Sequence, residues 1–429
     1  MKTIRTSVLS IGENKGTPRL WIEGKYLSKA GFEGGRKVRT TYGSNEIVIE
    51  LAEEGDHTVA ARKSGSVLDY QNTKLVEMMG SASKVEVCTS FGRIVITPAK
   101  TERRRMSRNR DGSHGSVFSG GGLLDEAATQ AGYSSSFGVE VDPDYADVWQ
   151  SNHSGHMLCS CISEVDYRRL PQVDLLTLGV CCEPFSKKRR QAGGKKREGN
   201  SPADHALADM SFWGLLVVEA TNPSTVVIEN VPEYVSSDIG LVTMQALRRM
   251  GYNVDHRIID GTDYGALTTR KRAVIVAKDG EIAWPELESA NRDLGSVLLD
   301  PNDPRCEWFH RSDPNKQWLF DHWRKQAEKG NGFCSQLLTA SSASVQAISK
   351  RYFAGQGDAP VVVDTRRDGW YRWLTIEEVK AMMGLPANYD LGDTKTRAGE
   401  IMGQGVLVNV FKRIIESVAP RRRVMSQAA

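Results

Sequence analysis

Residues 173–186 read Val173-Asp-Leu-Leu-Thr-Leu-Gly-Val-Cys-Cys-Glu-Pro-Phe-Ser186, an apolar segment that runs directly into adjacent cysteines. A short apolar run of this length predicts a buried strand, and in open α/β sheets ligands bind beyond the carboxyl ends of the strands. We therefore expect Cys181 and Cys182 at a ligand-binding edge, with one of them facing inward. A thiol there is either a covalent nucleophile whose pKa is lowered or a buried structural cysteine. Position alone leaves both interpretations open.

On both sides of this segment, short apolar runs alternate with helical patterns. The candidate strands are residues 117–118, 137–141, 173–178, 225–228 and 273–277, and the candidate helices are residues 123–131, 145–150, 207–220 and 241–250. Alternation of this kind is typical of βαβ units. It predicts an α/β fold, a doubly wound and mostly parallel sheet built from residues 116–278 and, after an interruption, residues 366–420.

The interruption covers residues 279–365. This segment is richer in Trp, Arg, Ser and Gly and has no repeating unit, which predicts an inserted second domain. Its tryptophans, Trp308, Trp318 and Trp323, are expected mainly in the core of that domain, because aromatic side chains usually fill interiors.

A weak internal duplication marks the first hundred residues. Residues 37–49 and 84–96 each read as strand, glycine-containing turn and strand, which is the pattern of a β-hairpin. A helical segment precedes each of them, one with Leu27 and one with Leu75. The duplication predicts a small β-rich accessory domain over residues 1–99.

The stretch Arg19-Leu-Trp-Ile-Glu-Gly-Lys-Tyr-Leu27 resembles the AbrB-like swapped-hairpin family. That family includes DNA-binding regulators and a related toxin fold, so the resemblance implies an accessory DNA-binding domain. A generic β domain that only mediates packing is an equal alternative. Residues 100–115 are basic and lack apolar periodicity, which predicts a linker, either a solvated tether or a segment whose arginines contact phosphates.

Bulk composition excludes several classes of protein. The chain has 429 residues, a net charge of +3 and seven cysteines, an odd number that does not suggest a disulfide framework. Cys159, Cys161 and the pair at 181–182 do not have the spacing of a structural zinc site, so we expect no metal. No run approaches the ~20 apolar residues of a membrane span, and no secretion signal is evident. We expect a cytoplasmic protein.

Three further segments place reactive groups beside predicted strands. Phe118-Ser-Gly-Gly-Gly122 joins a strand to a helix, where glycine lets the backbone approach a ligand. Glu140 follows about twenty residues later, a spacing suited to ribose hydroxyls. This pattern alone does not distinguish a binding site for a dinucleotide from one for S-adenosylmethionine. Its glycines could also form a turn that binds no ligand.

Glu229 should end a strand at the same edge, where a carboxyl group can exchange hydrogen bonds with a base ring. Arg270 and Arg272 are alternate residues, so both can point at one phosphate or carbonyl. Alternatively, Glu229 is only an acidic residue at the N-terminus of a helix, and Arg270 and Arg272 are only solvated basic residues at the end of a strand.

Together, in this order, the motifs resemble the DNA (cytosine-5)-methyltransferase family over residues 116–418. The matching segments are Phe118-Ser-Gly-Gly-Gly122 with Gly138-Val-Glu-Val-Asp-Pro143, Cys182-Glu-Pro-Phe-Ser186, Glu229-Asn-Val231, Arg270-Lys-Arg272, Arg372-Trp-Leu-Thr-Ile-Glu-Glu378 with Met383-Gly-Leu-Pro386, and Gly403-Gln-Gly-Val406. The resemblance implies a Rossmann-like methyltransferase sheet, with residues 279–365 as the target-recognition domain.

The resemblance also implies the site. Cys182, Glu229, Arg270 and Arg272 would be catalytic, and S-adenosylmethionine would be the cofactor. Its binding residues would be Phe118, Ser119, Gly120, Gly122, Leu123, Glu140, Val141, Ile162, Gln404 and Val406. Double-stranded DNA would contact a basic lid and the inserted domain, through Ser186, Lys187, Lys188, Arg189, Arg190, Lys195, Lys196, Arg197, Lys350 and Arg351. Mobile basic loops beside such sites suit phosphate contacts, although charge clusters are often only solvated.

Some positions depart from the family pattern. Cys181 stands where the family has proline, Cys161 where it has an aspartate that contacts adenine, and Thr268 and Gln404 where it often has Gln and Asn. Leu407 and Val408 replace a proline pair. Cys161 puts a standard adenine contact in doubt, but none of these changes removes a group that the reaction requires.

The expected function is sequence-specific methylation of cytosine carbon 5 in DNA, in a bacterial or phage-infected cell and in association with the nucleoid. A cognate restriction endonuclease is a candidate partner, and the oligomeric state is open. Three alternatives stay open: a tRNA cytosine-5 methyltransferase, a catalytically silent DNA-binding regulator, and a toxin-like module at residues 1–99 fused to a methylase.

Overall fold

The computed structural model describes residues 3–80, 82–100, 102, 107–185, 205–288, 292–330 and 335–419. The chain divides into two compact units, residues 1–108 and 109–429. Among the described residues, no helix is long and apolar enough to cross a membrane.

The first unit contains two antiparallel sheets, with strand orders β1-β9-β10-β5-β4-β6 and β2-β3-β8-β7. Its elements are β1 (Thr3–Ser10), β2 (Gly12–Asn14), β3 (Thr17–Gly24), α1 (Lys25–Lys29), β4 (Lys37–Gly43), β5 (Glu46–Ala52), β6 (His57–Thr58), β7 (Ala60–Arg62), β8 (Gly65–Gln71), α2 (Lys74–Met79), β9 (Lys84–Ser90) and β10 (Arg93–Pro98). Both predicted hairpins are present, as β4–β5 and β9–β10, and Leu27 and Leu75 of the short helices are fully buried in one shared core.

The second unit is built on a seven-stranded sheet of order β13-β12-β11-β14-β15-β18-β16. Its first part comprises β11 (Ser113–Val117), α3 (Leu123–Gln130), β12 (Ser134–Glu140), α4 (Pro143–Asn152), β13 (His156–Cys159), β14 (Leu175–Gly179), α5 (Met210–Thr221), β15 (Thr225–Asn230), α6 (Asp238–Arg249), β16 (Asn253–Asp260), β17 (Thr268–Thr269) and β18 (Lys271–Lys278). Strands β11 to β15 pair in parallel, and β18 runs antiparallel to β15 and β16. This is the predicted doubly wound, mostly parallel sheet. Its antiparallel strand, β18, lies next to the edge strand β16.

The sheet begins earlier than predicted, because β11 starts at Ser113 within the segment expected to be linker. The start of this strand could not be recognised as an apolar run, because its buried residues before Val117 are polar or lack a side chain. His114 is 1% exposed, and its Nε2 lies 2.8 Å from Thr177 Oγ1. A Cβ at Gly115 would lie 2.4 Å from the Phe137 ring, so only glycine fits against the neighbouring strand.

The inserted segment belongs to the same compact unit as the large sheet. It and the C-terminal part contain β19 (Phe309–His310), α7 (Gln317–Lys329), β20 (Leu337–Leu338), β21 (Val345–Gln346), β22 (Val361–Val363), β23 (Trp370–Arg372), α8 (Ile376–Met383), α9 (Lys395–Gln404) and α10 (Val408–Val418). A small sheet of order β19-β23-β22-β20 uses residues beyond the predicted boundary at 365, and β21 pairs with β17. Leu338, Val345 and Tyr352 lie in one core with residues of α8, α9 and α10.

Two of the three tryptophans expected in the core are only partly buried, and the third is exposed. Trp308 and Trp323 are half-buried, and Trp323 Nε1 donates to Gly357 O at 2.9 Å. Trp318 is 44% exposed. On α7, the rings of Phe320 and Trp323 contact Tyr371 of the small sheet, at centroid distances of 5.5 and 5.9 Å.

A buried ion pair joins the insertion to the C-terminal helices. Arg372 donates to both carboxylate oxygens of Glu378 at 2.7 Å, and neither side chain is more than 2% exposed. Glu378 also accepts the backbone N–H of Leu299 from the insertion and of Thr375 at the start of α8, each at 2.8 Å. The carboxylate therefore satisfies four donors from three segments, as a buried charge requires.

Candidate active site

The residues of the candidate site lie at the ends of three adjacent parallel strands, at one edge of the large sheet. Val117 of β11 pairs with Leu178 of β14, and Gly179 of β14 pairs with Glu229 of β15. Because the strands run in parallel, the loops after Val117 and Gly179 leave the sheet at the same edge as Glu229. The predicted glycine turn, the cysteine pair and the carboxylate are thus brought together.

The glycine turn, residues 118–122, is held in an unusual backbone conformation. Phe118 has φ of +57°, a left-handed value that is uncommon for a large side chain. Gly120 and Gly122 also have positive φ. Ser119 Oγ accepts the N–H of Val139 at 3.1 Å, which ties the turn to β12. A Cβ at Gly179 would lie 2.8 Å from Phe118 O, so the next strand also needs glycine for close approach.

Glu140 ends β12 beneath this turn. Its carboxylate accepts the backbone N–H groups of Gly120 at 2.7 Å, Val141 at 2.9 Å and Asp142 at 3.0 Å. The next residue, Val141, leaves an apolar side chain 63% exposed. An acid fixed by backbone donors beside an exposed apolar side chain can bind a ligand with one polar and one apolar part.

The other predicted cofactor residues occupy two different environments. Leu123, Ile162 and Val406 are at most 4% exposed and belong to the hydrophobic cores. Gln404 is exposed and its Nε2 donates to Tyr145 Oη at 3.2 Å. Tyr145, on α4, was not predicted; its position one turn into the helix gave no separate signal.

Cys182 has an accessible side chain, whereas Cys181 is partly buried, which agrees with one thiol facing inward. Protein packed around Cys182 raises the pKa of its thiol, the Glu229 carboxylate raises it further, and the Arg272 guanidinium opposes both effects. Burial also raises the pKa of Cys181. The ionisation of the Cys182 thiol therefore depends on burial and on the charges of Glu229 and Arg272.

The two arginines play different structural parts, unlike the equivalent roles expected from the sequence. Arg272 Nε lies 2.5 Å from Glu229 Oε1, and both side chains are less than one-fifth exposed. Arg270 is 7% exposed, and its Nη2 donates to Gly403 O at 2.9 Å. Burial lowers the pKa of Arg270 to about 9, so it remains charged at neutral pH. Arg272 is the arginine that faces the carboxylate.

The predicted DNA contacts from Ser186 to Arg197 lie outside the described residues. Lys350 and Arg351 are exposed in the loop that follows β21. The backbone of that loop packs on α9, since a Cβ at Gly403 would lie 2.2 Å from Lys350 N.

Two of the departures from the family pattern have different surroundings. Cys161 Sγ lies 3.1 Å from Ser163 Oγ, whereas Thr268 is buried, at 2% exposure. Two residues that the sequence did not indicate, His153 and Tyr389, contact carbonyl groups of the glycine turn. No local pattern could have identified Tyr389, which lies 268 residues from its partner.

Comparison with known proteins gives one consistent family. Residues 113–419 match the family described as C-5 cytosine-specific DNA methylase. The chain is 26% identical to the type II methyltransferase M.MspI of a Moraxella species over 335 residues, 76% of this chain and 75% of that protein. It is also 26% identical to the type II methyltransferase M.NlaX of Neisseria lactamica over 291 residues, 66% of this chain and 87% of that protein.

Two solved structures share the fold. The Entamoeba histolytica methyltransferase EhMeth superposes with a TM-score of 0.57 at 14% identity, covering 71% of this chain and 97% of that one. The S. pombe Dnmt2 methyltransferase superposes with a TM-score of 0.54 at 17% identity, covering 71% of this chain and 96% of that one. The predicted Rossmann-like methyltransferase fold is confirmed.

Proposed function

Because this chain belongs to the family of C-5 cytosine-specific DNA methylases, we propose that it methylates carbon 5 of a cytosine turned out of duplex DNA, at a specific sequence and through a covalent bond to Cys182. The observation that carries the proposal is the meeting of Cys182, the Glu229–Arg272 pair and the glycine turn at one sheet edge. The type II relatives support a restriction–modification role, for which a cognate endonuclease is the proposed partner.

The residues around the glycine turn fit S-adenosylmethionine. A Cβ added at Gly120 meets nothing within 4 Å, so there is open space over the turn at the start of α3. Glu140 lies below that space, and exposed Val141 offers an apolar surface. We assign the binding of the cofactor to these residues and to Gln404. Bound S-adenosylmethionine supplies the methyl group that carbon 5 accepts.

The base must leave the duplex first, since its carbon 6 is inaccessible within the stack. The Cys182 thiolate then bonds to carbon 6, which makes carbon 5 electron-rich. N3 takes up the proton that the Cys182 thiol has released, the Glu229 carboxylate accepts hydrogen bonds from N3–H and the exocyclic amine, and Arg272, which faces Glu229, contacts O2. Once the base neutralises part of the Glu229 charge, that carboxylate no longer opposes ionisation of Cys182. After carbon 5 has accepted the methyl group, its proton passes to solvent, the carbon 5–carbon 6 double bond forms again, and the electron pair of the carbon–sulfur bond returns to Cys182.

We propose that both units contribute to DNA binding. Lys350 and Arg351 would contact phosphates from the insertion, and the basic segment 187–197 would close over the bound strand. The insertion would read base edges as the target-recognition domain. The first unit would add DNA contacts as an accessory domain. We place the working enzyme in the bacterial cytoplasm, on the nucleoid.

The test is covalent trapping on an oligonucleotide with 5-fluorocytosine at the target base. Bisulfite sequencing of DNA from expressing cells first identifies the target. In the presence of S-adenosylmethionine the protein should then form a stable adduct, and peptide mapping should place it on Cys182. The variant Cys182→Ala should form no adduct yet still bind DNA, whereas Cys181→Ala should retain activity. An adduct on another residue, or methylation by Cys182→Ala, would refute the proposal. Methyl incorporation into tRNA instead of DNA would favour the RNA alternative.

A further inference from the structure

We propose that His153 and Tyr389 are positioning residues that lock the glycine turn in its binding conformation and thereby set the affinity for S-adenosylmethionine. This inference rests on the proposed function, because it assigns the cofactor to that turn. Neither residue belongs to the motifs that indicate the reaction. Both are buried, His153 at 6% and Tyr389 at 5% exposure, so they would act through the backbone of the turn.

The contacts are direct hydrogen bonds to consecutive carbonyl groups. Tyr389 Oη donates to Gly121 O at 2.7 Å. His153 Nε2 lies 3.1 Å from Gly122 O and 3.3 Å from Tyr389 Oη. Since the tyrosine hydrogen is directed at Gly121, both neighbours of Nε2 are acceptors, and His153 must carry a hydrogen on Nε2. The pair therefore acts as a two-donor clamp on the turn.

Shape reinforces the clamp. A Cβ at Gly122 would lie 2.5 Å from His153 Nε2 and 2.9 Å from Trp149 Cδ1. Trp149 is fully buried, and its ring lies 5.0 Å from that of His153. Gly122 has φ of +83°, a value that the turn adopts immediately before α3 begins. The imidazole thus occupies the space that a side chain at residue 122 would need.

The two chain segments that carry His153 and Tyr389 are joined by further hydrogen bonds. Asn152, beside His153, donates through Nδ2 to Asp390 O at 2.9 Å and accepts the Asp390 N–H at 2.8 Å. Lys380 Nζ donates to Ala387 O at 2.6 Å and to Tyr389 O at 2.7 Å. The loop after α8 is therefore held on the end of α4. A rigid support of this kind lowers the ordering cost of ligand binding.

The experiment compares Tyr389→Phe with Tyr133→Phe by titration calorimetry with S-adenosylmethionine. Tyr133 is the matched control, because it is 5% exposed and its Oη donates to a backbone carbonyl, Ala419 O, at 2.6 Å. Each variant loses one buried hydroxyl. Tyr389→Phe should raise the dissociation constant about tenfold, the effect of one buried acceptor losing its donor. Tyr133→Phe should change it by less than about twofold. At saturating cofactor the rate of methylation by Tyr389→Phe should stay near that of the wild type.

A second pair covers the case in which Tyr389→Phe fails to fold. His153→Gln keeps an amide donor near the position of Nε2, whereas His153→Ala removes it, so only the alanine variant should bind the cofactor weakly. Equal affinities in both comparisons would overturn the inference, while a wild-type protein that still binds S-adenosylmethionine and methylates DNA would leave the proposed function intact. A wild-type protein that does neither would overturn the proposed function itself.

Discussion

Replacing Glu378 with glutamine should destabilise the second unit more than any other change of a single charge on α8. The carboxylate is fully buried and accepts two bonds from Arg372 and one each from the Leu299 and Thr375 N–H groups. An amide has one oxygen to accept and one nitrogen that only donates. In Glu378→Gln the nitrogen must face at least one of these donors, and the Arg372 charge loses its counterion.

Breaking a buried ion pair by removing one partner costs about 3–5 kcal/mol. With a urea dependence of about 3 kcal/mol per molar, the midpoint of unfolding should fall by about 1–1.7 M. Tryptophan fluorescence reports mainly on this unit, because Trp21 is the only one of the nine tryptophans that precedes residue 109.

Glu377→Gln is the control for this measurement. Glu377 is the preceding residue of α8, lies in the same first turn and is exposed. Its replacement should change the free energy of unfolding by less than about 0.5 kcal/mol, as is usual for surface positions. If Glu378→Gln unfolds at the same urea concentration as Glu377→Gln, the buried pair does not stabilise the junction and the reasoning fails.

Two further predictions concern titratable groups. Burial, more than the opposing Asp125 carboxylate, lowers the pKa of His114 to about 4; the unfolded chain therefore binds the extra proton first, and stability should fall by about 2 kcal/mol between pH 7 and pH 5. His114→Gln should show a smaller decrease in urea unfolding at the two pH values, and an identical decrease would contradict the assignment. Glu229→Gln should speed alkylation of Cys182 by iodoacetamide near pH 8 severalfold, because the carboxylate raises the pKa of that thiol, while methyl transfer is lost. Slower alkylation would show that Glu229 does not oppose ionisation.

The sequence was sufficient to predict that the candidate site residues lie at one edge of the sheet, because they follow the ends of strands. Cys182, Glu229 and the turn at Gly120 each come directly after an apolar run, and parallel strands bring such positions to one edge whatever the helices between them do. The motif order also sufficed to identify the family, which the match over residues 113–419 confirms.

Contacts between distant segments could not be predicted. Arg270 donates to a carbonyl 133 residues away, and Tyr389 to one 268 residues away. Neither partner is distinguished by its side chain, since both acceptors are backbone groups. The start of strand β11 was predicted too late for a related reason, because buried His114 and Ser116 do not resemble the apolar runs by which strands are found.

The shared core has a consequence for protein engineering. Leu338, Val345 and Tyr352 pack among residues of the C-terminal helices, and Arg372 supplies the counterion of Glu378. Suppose that residues 279–365 were replaced by the corresponding segment of another methylase. Its apolar side chains would then enter the shared core without the neighbours against which they pack in their own protein. Chimaeras should therefore be cut after residue 378 and carry the matching interior residues with them, since the segment 279–365 cannot be exchanged by itself.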